Sequence, residues 1–175
     1  MKLYHGTTEE KGNKIIEDRC LKVNCESNYA DLSKPFQTTK GYIYMATDRF
    51  YAYKYAQQKP LEGGNSCYVF EINIDYSDLE IDTDELRIVH RLSEEKISEM
   101  NLKESLKISK AVRTSKVLSF GTEIVRIAHP LKWKEIAEPL KTSVQNCMEN
   151  NDPQYHAKIS DEKNFDSIVI FNHLS

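Results

Sequence analysis

The sequence predicts one α+β domain, with helices early and short strands late, built on antiparallel pairing. Three observations predict it. The 175 residues are 39% hydrophobic and 29% charged, enough apolar material for one core but not for two domains of ordinary size. Short β-type runs recur at 42–46, 67–74, 111–113, 117–120 and 123–127, while two helix starts fall within the first 60 residues. The longest unbroken apolar run, Tyr42-Ile43-Tyr44-Met45-Ala46, is far short of the ~20 residues that span a bilayer. The start, Met1-Lys2-Leu3-Tyr4-His5-Gly6, carries no apolar signal core, so a cytoplasmic domain with no membrane partner is expected.

Each element follows from local chemistry. Leu3–Thr8 reads as a strand running into a helix that the pair Thr7 and Glu10 opens as a capping box, with Ile15 and Ile16 on its buried face. Cys20–Lys40 is polar, holds Pro35 and sustains no period, which predicts a long loop. Tyr42–Ala46 predicts a strand. Thr47 or Asp48 then caps a helix to about Gln57, with Tyr51 and Tyr55 on one face at i, i+4. Gly63-Gly64 marks a turn before the strand Cys67–Ile74. Residues 83–107 read as a charged helical region broken near Asn101. Three short strands follow, and Gly121-Thr122 separates the last two. Residues 145–164 are polar and read as loosely held, with a final buried strand at Ser167–Phe171.

Charge and cysteines narrow the function. Lys and Arg total 24 against 27 Asp and Glu, a net charge of −3, which excludes nucleic-acid binding by bulk electrostatics. Lys107, Lys110, Arg113 and Lys116 form a local basic run, either a solvated face or a contact for a nucleotide or nucleic-acid acceptor. Cys20, Cys25, Cys67 and Cys147 lack C-x-x-C spacing, so no metal site is expected and free thiols are.

Three pieces carry chemistry. In Leu3-Tyr4-His5-Gly6-Thr7-Thr8, the glycine leaves backbone groups open to a flat amide and the histidine offers a ring nitrogen to a hydroxyl. Five of the ten tyrosines lie at 42–55, where Tyr44 on a strand and Tyr55 on a helix could clasp a planar ring; a tyrosine-rich core wall is the plainer alternative. In Phe120-Gly121-Thr122-Glu123-Ile124-Val125, a lone carboxylate opens an apolar strand. It can stabilise positive charge developing on a sugar, or simply be a solvated strand end.

In this order the pieces resemble the ADP-ribosyltransferase superfamily, in its H-Y-E branch of poly(ADP-ribose) polymerase and diphtheria-toxin-like enzymes. The resemblance spans roughly residues 2–128 and rests on His5-Gly6-Thr7, on Tyr44-Met45-Ala46 with Tyr55 eleven residues on, and on Glu123-Ile124-Val125. It implies split antiparallel sheets flanked by helices in one domain over 1–175, with NAD as substrate. His5 would bond the ribose on the adenosine side, and the backbone of Gly6 would hold the nicotinamide carboxamide. Tyr44 and Tyr55 would sandwich the nicotinamide, with Thr7 and Ala46 completing the NAD-binding motifs. Glu123 would hold the nicotinamide ribose and stabilise its oxocarbenium-like transition state. The implied activity is transfer of ADP-ribose to a macromolecular acceptor, protein or nucleic acid. NAD hydrolysis and a non-catalytic ADP-ribose-binding or partner-binding module are the alternatives.

Two positions depart from that pattern. The family's glycine two residues before the strand tyrosine is Tyr42 here, and its carboxamide-binding helix serine is Ala52, which leaves Gly6 alone or a hydroxyl such as Thr47 for the amide. Gly121 stands where the arginine-modifying branch places a second Glu or a Gln, which disfavours arginine as acceptor. The RNA 2′-phosphotransferase branch would need a His-Arg-Arg-rich phosphate grip that the sequence does not supply.

Overall fold

The computed structural model describes residues 1–23, 38–57, 64–149 and 156–174. Its architecture is mixed α and β with antiparallel sheets, as the sequence predicts. The strands are β1 (Lys2–Thr8), β2 (Cys20–Leu21), β3 (Ile43–Ala46), β4 (Cys67–Asn73), β5 (Glu80–Ile81), β6 (Ala111–Thr114), β7 (Leu118–Ser119), β8 (Ile124–Ala128) and β9 (Asn172–His173). The helices are α1 (Glu9–Asp18), α2 (Arg49–Ala56), α3 (Thr83–Ile88), α4 (Glu94–Ser98), α5 (Leu102–Ser105), α6 (Leu140–Met148) and α7 (Ile159–Ile168). Seven strands run in the order β5-β6-β3-β1-β4-β8-β9, and β2 pairs with β7 apart from them.

Two ladders of unequal strength meet on β1. With β4 it is registered along its whole length, from Lys2 opposite Asn73 to Thr8 opposite Cys67. With β3 it shares the single registered pair Tyr4 and Ala46. The seven strands are therefore two smaller antiparallel groups, β5-β6-β3 and β1-β4-β8-β9, hinged at one pair. Apolar residues pack on both faces. Leu3, Met45, Phe70, Ile72, Val112 and Leu118 fill one core with Ile15 of α1, and Ala46, Tyr53, Val69 and Ala128 fill the other with α2, α6 and α7. Six of the seven residues of β4 are buried, because both faces of that strand are covered.

Caps explain several boundaries. Asp48 accepts from the Tyr51 N–H at 2.7 Å and opens α2, as predicted. The break near Asn101 is a capping box, in which Asn101 and Glu104 bond each other's backbone N–H. The start of α1 differs from expectation. Thr7 stays in β1, and Thr8 caps the helix by accepting from Lys11. Full pairing with β4 holds the strand one residue longer than the sequence signal implies. Gly63 lies outside the described residues, as does most of the predicted 20–40 loop, at 24–37; Cys20 and Leu21 form β2.

The C-terminal expectations are overturned. Much of 145–164 lies in α6 and α7 rather than in a loosely held segment, and Ser167–Phe171 is not a strand. Helix wins because Phe165 is fully buried, edge-on to Phe50 at 4.7 Å and Tyr53 at 5.4 Å, a placement that a helical face supplies. Arg49 of α2 ties this end down, with Nε 2.8 Å and an Nη 3.1 Å from the Asp166 carboxylate and Glu162 nearby at 3.7 Å. Among the described residues no helix is long and apolar enough to cross a membrane.

Where β1 passes α2 the backbones touch. A Cβ on Gly6 would lie 1.8 Å from the carbonyl oxygen of Ala52, a rigid neighbour. Gly6→Ala is expected to cost at least about 1–3 kcal/mol through overpacking, read as a lower urea midpoint at unchanged slope.

Candidate active site

β1 and β3 part beyond Tyr4, and the gap is bridged by a side chain. His5 Nδ1 lies 2.8 Å from the Tyr44 carbonyl oxygen. A carbonyl only accepts, so Nδ1 carries the proton and the neutral ring keeps Nε2 as an acceptor. Burial lowers the imidazole pKa more than the Tyr44 carbonyl raises it, and Lys11 lowers it further. The ring is therefore neutral at physiological pH. No β3 partner is registered for Gly6, Thr7 or Thr8, and all three are buried.

Tyr44 and Tyr55 are each held by an acid that the local sequence signals do not single out. Tyr44 Oη donates to Asp84 Oδ2 at 2.6 Å and lies 2.8 Å from the Thr39 carbonyl oxygen. Tyr55 Oη donates to Glu85 Oε2 at 2.7 Å, and Tyr51 Oη donates to Glu85 Oε1. Tyr51 and Tyr55 meet edge to face at 5.0 Å. Two tyrosines from different elements are thus anchored on consecutive residues in the first turn of α3. Burial, with the neighbouring carboxylates, raises the pKa of Tyr44, Tyr51 and Tyr55, so all three remain donors. The one signal in the chain is Asp82-Thr83-Asp84-Glu85 at a helix start, which reads as ordinary capping. Asp82 does cap α3, through the Glu85 N–H at 2.9 Å.

Glu123 sits immediately before β8 and is buried. Its Oε2 accepts from the Ser119 N–H at 3.0 Å, and its Oε1 lies 3.2 Å from Lys116 Nζ. Burial pushes this carboxyl up, but the Ser119 N–H and the Lys116 ammonium outweigh it and hold the group below its usual range. Glu123 makes no described bond to His5, Gly6, Tyr44 or Tyr55. Lys116 also bridges to Asp78 at 2.8 Å, beside an open groove of about 290 Å³ bordered by Ser77, Glu80, Thr114 and Ser115. Glu71 of β4 is engaged by Arg126, whose Nε lies 3.0 Å from it.

The remaining motif residues are structural neighbours of these. Ala46 pairs with Tyr4 and is buried, as is Thr7. Ala52, where the family resemblance would place a serine, supplies the carbonyl that abuts Gly6. The basic run does not form an exposed patch. Lys110 is buried 3.1 Å from Asp48, and Arg113 is buried against Thr83 and the Tyr42 ring. Cys20, Cys67 and Cys147 are free thiols, and Cys25 lies outside the described residues. No family model, curated protein or solved structure matches the chain.

The α3 acids carry a pH signature. Burial pushes Asp82 up to about 7, with the charges of Glu85 and Asp84 adding to it and the Glu85 N–H opposing. A raised carboxyl binds its proton more tightly folded than unfolded. Its contribution to stability is complete below the ordinary carboxylate pKa and is lost as pH rises through about 7. Asp82→Asn keeps an oxygen for the Glu85 N–H and removes the titration. The variant is expected to gain stability relative to wild type between about pH 4 and about pH 8. Urea unfolding of both proteins across that range checks this, and a pH-independent difference would refute it.

Proposed function

We propose that this protein is an NAD-dependent ADP-ribosyltransferase, moving ADP-ribose from NAD to a macromolecular acceptor and releasing nicotinamide. The observation that carries the reading is the 2.8 Å bond from the His5 ring to the Tyr44 carbonyl at the point where β1 and β3 separate. It joins the His-Gly and Tyr-x-Ala motifs, 39 residues apart in sequence, beside the one registered pair of β1 and β3. A mixed α and β architecture with antiparallel sheets is compatible with this reading. In this reading, Nε2 of His5 accepts from a ribose hydroxyl, and the backbone of Gly6 pairs with the carboxamide. Tyr44 and Tyr55, the latter anchored on the helix eleven residues later, border the nicotinamide.

The reaction asks little covalent chemistry of the protein. The C1′–N bond breaks, its electron pair returns to the pyridinium nitrogen, and neutral nicotinamide leaves. The acceptor nucleophile bonds to C1′ and gives up a proton. Positioning and a negative charge near the ribose lower the barrier. Glu123 is the carboxylate suited to supply that charge, because the Ser119 N–H and Lys116 keep it ionised, whereas Glu71 is committed to Arg126. The groove beside Lys116 offers an acceptor a polar approach to that carboxylate.

Glu123→Gln keeps size and hydrogen bonding but removes the charge. Nicotinamide release should fall by at least ~100-fold while NAD affinity changes little, because the lost interaction belongs to the transition state. Labelled NAD incubated with protein, DNA, RNA or buffer alone reports the acceptor and separates transfer from hydrolysis. Near-normal release by the Gln variant would remove Glu123 from the mechanism. A wild-type protein that binds NAD but releases no nicotinamide with any acceptor would be a binding module.

A further inference from the structure

The N-terminal end of β4 carries a second group of reactive side chains. Pairing between β4 and β8 continues past them, with the Cys67 N–H bonded to the Pro130 carbonyl and Ser66 bridged to Leu131. That register puts Tyr68 opposite His129 and sets Ser66 diagonal to it on the same face. Ser66 Oγ lies 2.9 Å from His129 Nε2. With the ring proton on Nδ1, the serine hydroxyl donates to Nε2, the pairing of a nucleophile with its base. Such a base needs a third group to orient it. Tyr68 does so here: its ring lies 4.0 Å from the imidazole and 2° from parallel, and its hydroxyl is fixed on Asn13 Oδ1 at 2.8 Å. Glu9, in the first turn of α1, places Oε1 3.4 Å from the same Nε2. The carboxylate and the tyrosine face both favour the imidazolium that forms when the ring takes a proton.

We propose that Ser66 is a nucleophile and His129 its general base, forming a second catalytic site that hydrolyses esters of short apolar acyl groups. Leu131, the bridge partner of Ser66, is 50% exposed and offers the acyl group an apolar contact beside the nucleophile. The His129 side chain is 42% exposed, so a substrate reaches the pair without rearrangement. Ser66 Oγ attacks the acyl carbon while its proton passes to Nε2. The ester C–O bond then breaks, and the alcohol leaves with that proton. Water attacks the acyl-serine next, passing a proton through Nε2 to the departing Ser66 oxygen, and the acid is freed. Glu123 lies at the other end of β4, where its carbonyl accepts from the Asn73 N–H, so this site does not depend on the NAD reading.

Acylation of the full chain by p-nitrophenyl acetate and p-nitrophenyl butyrate tests this, with p-nitrophenolate followed by absorbance and the adduct located by peptide mass mapping. Wild type is expected to give a burst of about one equivalent per chain, with the acyl group on Ser66. Ser66→Ala should abolish both the burst and the adduct. His129→Gln should slow acylation by on the order of 100-fold, the scale of lost general-base catalysis. Circular dichroism checks that each variant is folded, and Ser66→Ala alone decides the matter if the His129 variant is not. An acyl adduct on a lysine or a thiol that persists in Ser66→Ala, with none on Ser66, would overturn the inference. No acylation above the buffer rate would overturn it too, as would a folded His129→Gln variant that reacts at the wild-type rate.

Discussion

At the crossing of β1 and α2 there is no space for a side chain, since any Cβ on Gly6 would run into the Ala52 carbonyl. That contact sets the height of α2 above the sheet. From it follow the burial of Tyr53 and Ala56 in one core and the reach of Tyr51 and Tyr55 toward α3. β1 itself is held by its complete ladder with β4, so the crossing cannot slide without breaking that register. The same strand is joined to β3 by one pair only, which leaves a seam where His5 replaces a ladder bond with a ring bond. Fully paired on one side and singly paired on the other, β1 sets where the His5–Tyr44 contact falls.

Charge is distributed around this seam with clear division. Glu71 is satisfied by Arg126 and approached by Lys2 at 3.7 Å, an arrangement that stabilises the β1-β4-β8 region without leaving a reactive group. Glu123 is held by one backbone N–H and one exposed ammonium, which keep it ionised. Glu85 accepts from two phenols, while Asp84 accepts from one phenol, from Thr39 and from the Arg87 guanidinium. Burying carboxylates costs stability unless hydrogen bonds and charges satisfy them. That cost is the kind that functional sites carry, and its effect here is to hold three tyrosines from two elements in one arrangement.

The pieces that act locally were legible in the sequence. Asp48 before an aromatic helix and Asn101 three residues ahead of Glu104 are cap signals complete within four residues, and both operate in the fold. The strands at 43–46, 67–73, 111–114 and 124–128 carried enough β-branched and apolar character to be placed within a residue or two. The cap of α1 moved from Thr7 to Thr8 because cross-strand pairing, which no local window contains, decided where β1 stops. The run Ser167–Phe171 looked like a strand by composition, but burial of Phe165 against Phe50 and Tyr53 decided for a helix through Ile168.

By itself the sequence determined the class, mixed α and β with antiparallel sheets, and the residues that form the candidate motifs. Both are properties of local periodicity and side-chain chemistry. It also contained Asp84 and Glu85, though only as acids in the first turn of a helix, where such residues ordinarily serve the cap and the dipole. Only the tertiary structure decided that they would meet Tyr44 and Tyr55, that Lys110 and Arg113 of the basic run would be buried, and that Glu71 would pair with Arg126 and Glu123 with Lys116. The physical reason is range. Caps and periods act over a few residues of chain, whereas a buried charge is assigned its partner by whichever distant element the packing brings within about 3 Å.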